Sequence, residues 1–365
     1  MITKLYHYIS DKRETIHSFY KYSDYMCSGS YVFDDSIKYI YKDENHIKNK
    51  ANKILDNIHY RKMMMKLLVS ILRNTIFKNP MIIQHPSLKK EAFSGTIFLP
   101  VGSTRSYRDQ KIFDIKNKKV LTIYAHKEDY QTVLAHYAYF KEYFPVTSIY
   151  WKDDEKQLIM EELIFFQPNK IWEEEDFLYV METVFHHYAN YLNTCKVNGL
   201  YSYHTLSSVL ESLQDDPKID YIKSKISPEL QSLPIPSVKL HGDLWTSNIL
   251  LMNGTQNQLK YIDWEFSNEL YFFYDFFCMM WLEVYMKENY IYIEKYVRGD
   301  YDYHFGQIFS LFHLTFDSRL RNAYFHIFFL AFYKERLIHF NEEDKHIYFI
   351  QYKKLIEKME LYEKM

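Results

Sequence analysis

Apolar and polar positions change period twice along this chain. From Ile47 to Phe77, residues Ile54, Ile58, Met63, Leu67, Leu68 and Ile71 recur mostly at three- and four-residue steps, which predicts helix. Short apolar runs bounded by polar turns then take over. Gly95–Leu99, Lys111–Ile115 and Val120–Tyr124 read as strands, and a helical stretch from Asp129 to Tyr143 stops before Pro145. Thr147–Trp151 and Gln157–Met160 read as two further strands joined by the charged turn Lys152–Glu155. Helical spacing returns from Trp172 onward, and the acidic run Glu173–Asp176 suits the first turn of a helix, where negative charge meets the helix dipole favourably. Only Ser237 to Asp263 interrupts that helical region. The expected class is α+β in three regions: a helical N-terminal extension over residues 1–88, a small β-rich lobe over 89–165, and a larger helical lobe over 166–365.

Composition narrows the class without changing it. A chain of 365 residues with 47% apolar and 25% charged residues suits a globular protein of two lobes with an added segment. The 36 Tyr and 27 Phe are scattered, as expected of packing residues. Lys and Arg number 45 against 47 Asp and Glu, so no excess positive charge is available for general nucleic-acid binding. Cys27, Cys195 and Cys278 lie far apart, which argues against a disulfide framework or a zinc site. The N-terminus lacks the apolar stretch of a signal peptide. The run Ala323–Tyr333 is too short to span a bilayer, and the run Tyr271–Leu282 is broken by Asp275. A cytoplasmic location with no membrane span is the expectation.

The chemistry concentrates in His241-Gly242-Asp243-Leu244-Trp245-Thr246-Ser247-Asn248 and in Ile262-Asp263-Trp264-Glu265. Moving a phosphoryl group to a hydroxyl needs a carboxylate to orient the hydroxyl and accept its proton, and oxygen ligands for the metal that bridges the phosphates. Asp243 has the position of the base; Asn248, five residues on, offers an amide oxygen, and Asp263, twenty residues on, a carboxylate. Magnesium accepts such a sparse set of hard oxygen ligands, with phosphate and water completing it. Apolar runs flank each motif, and Asn253-Gly254 marks a hairpin turn between them.

HGDLWTSNIL followed by YIDWEF resembles the aminoglycoside phosphotransferase and choline kinase superfamily, over about residues 90–340. The resemblance implies a two-lobed protein-kinase-like fold, ATP and magnesium as cofactors, and a small-molecule hydroxyl acceptor such as an amino alcohol, an aminoglycoside or a sugar. It makes His241 and Asp275 structural braces of the catalytic loop. It places the nucleotide loop at Val101–Tyr107, with Gly102, Ser103 and Arg105 toward the phosphates, and the adenine hinge at Leu158–Leu163, with Glu161 and Leu163. Trp245 and Glu265 become candidates for the acceptor side, an aromatic and acidic pair that suits a cation.

One feature departs from the family. A lysine on the third strand of the small lobe, paired with a glutamate on the next helix, should hold the phosphates, yet the expected position is Thr122, and the helix body Tyr130–Phe140 holds no carboxylate. Lys111, Lys119 or Lys127, with Glu128 or Asp129, could substitute, as could Arg105 or Arg108 from the loop; the other alternative is weak or lost nucleotide binding. Two functions follow: an ATP-dependent small-molecule kinase, or a pseudokinase-type binding or scaffold protein.

Overall fold

The computed structural model describes residues 2–34, 38–55, 81–83, 93–101, 109–210, 216–252 and 258–363. The chain divides into two compact units. Residues 1–135, 146–171 and 250–260 form the first, and residues 136–145, 172–249 and 261–365 the second.

In the first unit, helix α1 (Ile2–Lys21) precedes β1 (Gly29–Asp34) and β2 (Tyr39–Lys42), and helix α2 (Asn45–Ile54) precedes β3 (Met81–Ile83). The strands expected for the small lobe follow as β4 (Ile97–Val101), β5 (Asp109–Asp114), β6 (Lys119–Ile123), β7 (Ile149–Asp153) and β8 (Leu158–Glu162), with helix α3 (Lys127–Phe140) between β6 and β7. All eight strands make one sheet in the order β3-β1-β2-β4-β5-β6-β8-β7. Residues 1–88 therefore contribute helices, as expected, and also three strands that the helical periodicity does not announce. The rest of the expected Ile47–Phe77 helix lies outside the described residues.

Alternation along the strands explains how the sheet is covered. Phe98, Ile112 and Leu121 face one side and join Phe19, Met26 and Tyr31 in a buried cluster. Their neighbours Ile97, Leu99, Phe113 and Val120 face the other side and pack with Ile47, Ala51 and Leu55 of the α2 region. A period of two sends adjacent residues to opposite faces, so both faces here need cover, and the N-terminal segment supplies much of it.

The second unit is mainly helical. Helix α4 (Glu174–Asn198) opens with a capping box between Glu173 and Asp176 and closes on Gly199 in the left-handed conformation. Its buried positions, Val180, Met181, Val184, Phe185, Tyr188, Tyr191, Leu192 and Cys195, follow three- and four-residue steps. A three-stranded sheet places β10 (Ile235–Leu240) between β9 (Ser202–His204) and β13 (Asn268–Tyr271). Strands β11 (Ile249–Met252) and β12 (Gln258–Tyr261), which fall almost wholly in the first unit, pair with each other; the Asn253-Gly254 turn lies outside the described residues. Helices α5 (Tyr274–Lys287), α6 (Ile291–Arg298), α7 (Asp302–Leu311), α8 (Arg321–Phe332) and α9 (Glu342–Tyr362) follow in the second unit. Phe185 of α4 stacks on Phe276 of α5 with ring centres 4.4 Å apart, which packs those helices together. Among the described residues no helix is long and apolar enough to cross a membrane.

Candidate active site

Strand β10, held on both edges, releases the chain at Leu240 from a fixed point. The next two backbone N–H groups, of His241 and Gly242, donate to Asp275 Oδ2 and Oδ1 at 2.8 and 2.9 Å. Tyr188 of α4 donates its hydroxyl to the same carboxylate at 2.7 Å. Asp275 lies in the first turn of α5 and has no exposed surface. Three donors on one buried carboxylate pin the start of the loop. Burial still pushes the Asp275 carboxyl up to about 6, against the pull of those hydrogen bonds.

Gly242 has φ +78°, and a Cβ there would lie 2.2 Å from the Phe266 carbonyl oxygen. No other residue fits this approach without displacing the backbone. His241 is fully buried. Its Nε2 lies 2.8 Å from the Ile262 carbonyl, and the Asp243 N–H donates to its Nδ1 at 3.3 Å. A carbonyl only accepts and an amide N–H only donates, so the ring carries its proton on Nε2. Burial lowers the His241 pKa, which favours the neutral ring this pattern requires. The imidazole therefore ties the loop before Asp243 to the segment that carries Asp263.

Asp243 is engaged through both oxygens. Arg336 Nη2 donates to Oδ1 at 2.9 Å, and Asn248 Nδ2 donates to Oδ2 at 3.2 Å and to the Asp243 carbonyl at 2.8 Å. Burial raises the Asp243 pKa, and the Arg336 charge is the largest influence opposing it. With its amide nitrogen turned to Asp243, Asn248 keeps Oδ1 as the donor for a cation. Ile262 N–H donates to the Asn248 carbonyl at 3.1 Å, which fastens the two motifs together. Asp263 follows with φ 62° and ψ 55°, a left-handed conformation that aspartate tolerates better than most residues. Its side chain is exposed, and its charge acts on Asp243. One amide oxygen and one carboxylate match the donor set magnesium accepts alongside phosphates and water.

The other expected residues fall in different places. Trp245 is half-buried, and the Lys287 ammonium sits 5.2 Å from its ring centre. Lys287 also pairs with Glu283 at 2.9 Å, and Thr246 bonds to both, so this ring already has a cation from the chain itself. Glu265 is exposed. In the first unit, Glu161 accepts a hydrogen bond from Thr147 Oγ1 at 2.9 Å, and the Leu163 N–H donates to the Lys118 carbonyl at 2.9 Å. Gly102, Ser103, Arg105 and Arg108 lie outside the described residues. Thr122 is buried on β6, and its direct cross-strand partner on β5 is Lys111. Arg336 escapes sequence reading: it stands 93 residues from Asp243, in the run Tyr333–Leu337 that bears no motif.

No protein-family model and no curated protein sequence matches the chain. Several solved structures are similar to it. A thermostable mutant of aminoglycoside phosphotransferase APH(4)-Ia, in ternary complex with ADP and hygromycin B, has a TM-score of 0.48 at 12% identity, covering 72% of this chain and 94% of that one. Amicoumacin kinase hAmiN, in complex with AMP-PNP, Ca2+ and Ami, has a TM-score of 0.44 at 11% identity, covering 72% and 88%. Choline kinase LicA from Streptococcus pneumoniae has a TM-score of 0.38 at 14% identity, covering 82% and 98%. Each of these likenesses is loose.

Proposed function

We propose that the chain is an ATP-dependent phosphotransferase that moves the γ-phosphoryl group to a hydroxyl of a small molecule, in the class of amino alcohols, aminoglycosides or sugars. The observation that carries this reading is the braced set of Asp243, Asn248 and Asp263 in one unit, held by His241 and Asp275. Asp243 takes the proton of the acceptor hydroxyl as its oxygen bonds to phosphorus; the bond to the bridging oxygen breaks, and ADP leaves with that electron pair. Asn248 Oδ1 and the Asp263 carboxylate would hold magnesium, which supplies charge neutralisation on the phosphates.

In the small lobe we assign phosphate contact to Lys111. Directly opposed residues of an antiparallel pair project from the same face, so Lys111 shares the face of Thr122, where the family carries its lysine. The nucleotide loop at Gly102, Ser103 and Arg105 and the hinge at Glu161 and Leu163 belong to the same reading. With the Leu163 N–H bonded to Lys118, the hinge would offer adenine its other backbone groups.

The test is a screen for ADP release with choline, ethanolamine, aminoglycosides and simple sugars, run beside Asp243→Asn. The variant should lose turnover by about a hundredfold or more while binding Mg-ATP as before. Undiminished turnover in that variant would remove Asp243 as the base. The absence of a lysine at Thr122 favours a second reading, a pseudokinase-type binding or scaffold protein. Saturable thermal stabilisation by ATP with magnesium supports the kinase; none at millimolar nucleotide supports the scaffold.

A further inference from the structure

We propose that Arg336 is the positioning residue of the candidate base: it holds the Asp243 carboxylate in one rotamer, so that Oδ2 meets the acceptor hydroxyl. This inference rests on the phosphotransfer reading and deepens it. Nothing in the two catalytic motifs supplies a cation to Asp243; the residue that does so arrives from the far end of the unit.

Helix α8 runs into the wider turn Tyr333–Leu337, in which the Ile338 N–H donates to the Tyr333 carbonyl at 3.1 Å, an i to i+5 bond. Such a turn inserts one residue into the helical ladder and redirects the side chains it carries, and it occurs frequently at functional sites. Here Arg336 Nη2 reaches Asp243 Oδ1 at 2.9 Å. The guanidinium carbon lies 3.7 Å from the centre of the Phe266 ring, a stacked cation–π contact. The Phe266 carbonyl is the atom packed against Gly242. The platform beneath the guanidinium is thereby fixed to the residue before the base.

The pairing uses one nitrogen and one oxygen. An arginine that only staples a carboxylate favours two parallel bonds. Arg336 instead leaves Nη1 buried without a hydrogen-bond partner, and leaves Oδ2 to the longer bond from Asn248. That leaves Oδ2 as the less tightly held oxygen of the base.

The groups facing Asp243 come from several elements: His241 and Asn248 on the loop, Asp263 after β12, Tyr274 and Cys278 on α5, and Arg336. Tyr348 on α9 faces Arg336 itself. The cation hydrogen-bonded to Asp243 is Arg336.

The experiment measures ADP release, and melting temperature, for the wild type, Arg336→Met, Arg336→Lys, Asp243→Asn and the Arg336→Met/Asp243→Asn double variant. We expect Arg336→Met to lower kcat by roughly tenfold or more with nucleotide KM unchanged. Arg336→Lys should recover part of that loss, since it keeps the charge and loses the stacking. Near neutral pH, Asp243→Asn should restore part of the melting temperature lost in Arg336→Met, because it removes a buried, unpaired carboxylate. An undiminished kcat in the Arg336→Met enzyme overturns the inference, as do strictly additive losses of melting temperature. A wild type that releases no ADP with any acceptor overturns the phosphotransfer reading first, in an arm that involves no variant, and the positioning role falls with it.

Discussion

Asp275 shows how a single buried carboxylate can serve both folding and the site. It accepts hydrogen bonds from two consecutive backbone N–H groups and from Tyr188, which is what fixes the entry of the loop carrying Asp243. Its folded-state pKa of about 6 stands above the ordinary 3.8 because burial outweighs those donors. The folded chain therefore holds this proton more tightly than the unfolded chain does. The stabilisation Asp275 contributes is full below its unfolded value and is lost as pH rises through about 6. Asp275→Asn removes that titration, so the stability difference between the two proteins should drift in favour of the variant between pH 4 and 7, by up to about 3 kcal/mol. Denaturant melts over that range measure the drift, and a drift toward the wild type contradicts it. Turnover should fall at every pH, because an amide offers one acceptor oxygen where two backbone N–H groups now bond to separate oxygens.

At the scale of elements, legibility follows sequence distance. Asp243, Asn248 and Asp263 could be read because one loop and one hairpin hold their spacing, and apolar runs on either side announce the strands that fix them. Arg336 could not, since its pairing depends on how α8 ends and on where Phe266 lies. Strands β1 to β3 escape for a related reason: they lie on either side of the Ile47–Phe77 period, and what fixes them is pairing with distant strands, as between Ile40 and Phe98. Lys111 is an intermediate case. Sequence placed it on the strand before Thr122, but only the register puts it directly opposite. If Lys111 contacts phosphate, Lys111→Met should weaken Mg-ATP binding about tenfold, or about 1.4 kcal/mol, seen as a smaller thermal shift at equal nucleotide. An unchanged shift would move phosphate binding to one of the other cations considered for it.

At the scale of the molecule, the N-terminal segment decides what counts as the folding unit. A detachable docking arm and an integral part of the sheet are both compatible with a helical period, and packing separates them. Phe19, Met26 and Tyr31 lie in the same buried cluster as Phe98, Ile112 and Leu121, and β2 pairs directly with β4. Deleting residues 1–43 would strip α1, β1 and β2, leave the hydrogen-bonding edge of β4 open, and expose one face of the sheet. Each large apolar side chain uncovered costs about 1.5–3 kcal/mol, so a handful would consume the 5–15 kcal/mol by which a domain of this kind is typically stable. An open apolar edge strand also templates association between chains. The truncated protein should therefore lack a cooperative melt by circular dichroism and run as aggregate on gel filtration. A monomer that melts cooperatively and still binds nucleotide would show instead that the segment is an appendage and that the five strands β4 to β8 suffice.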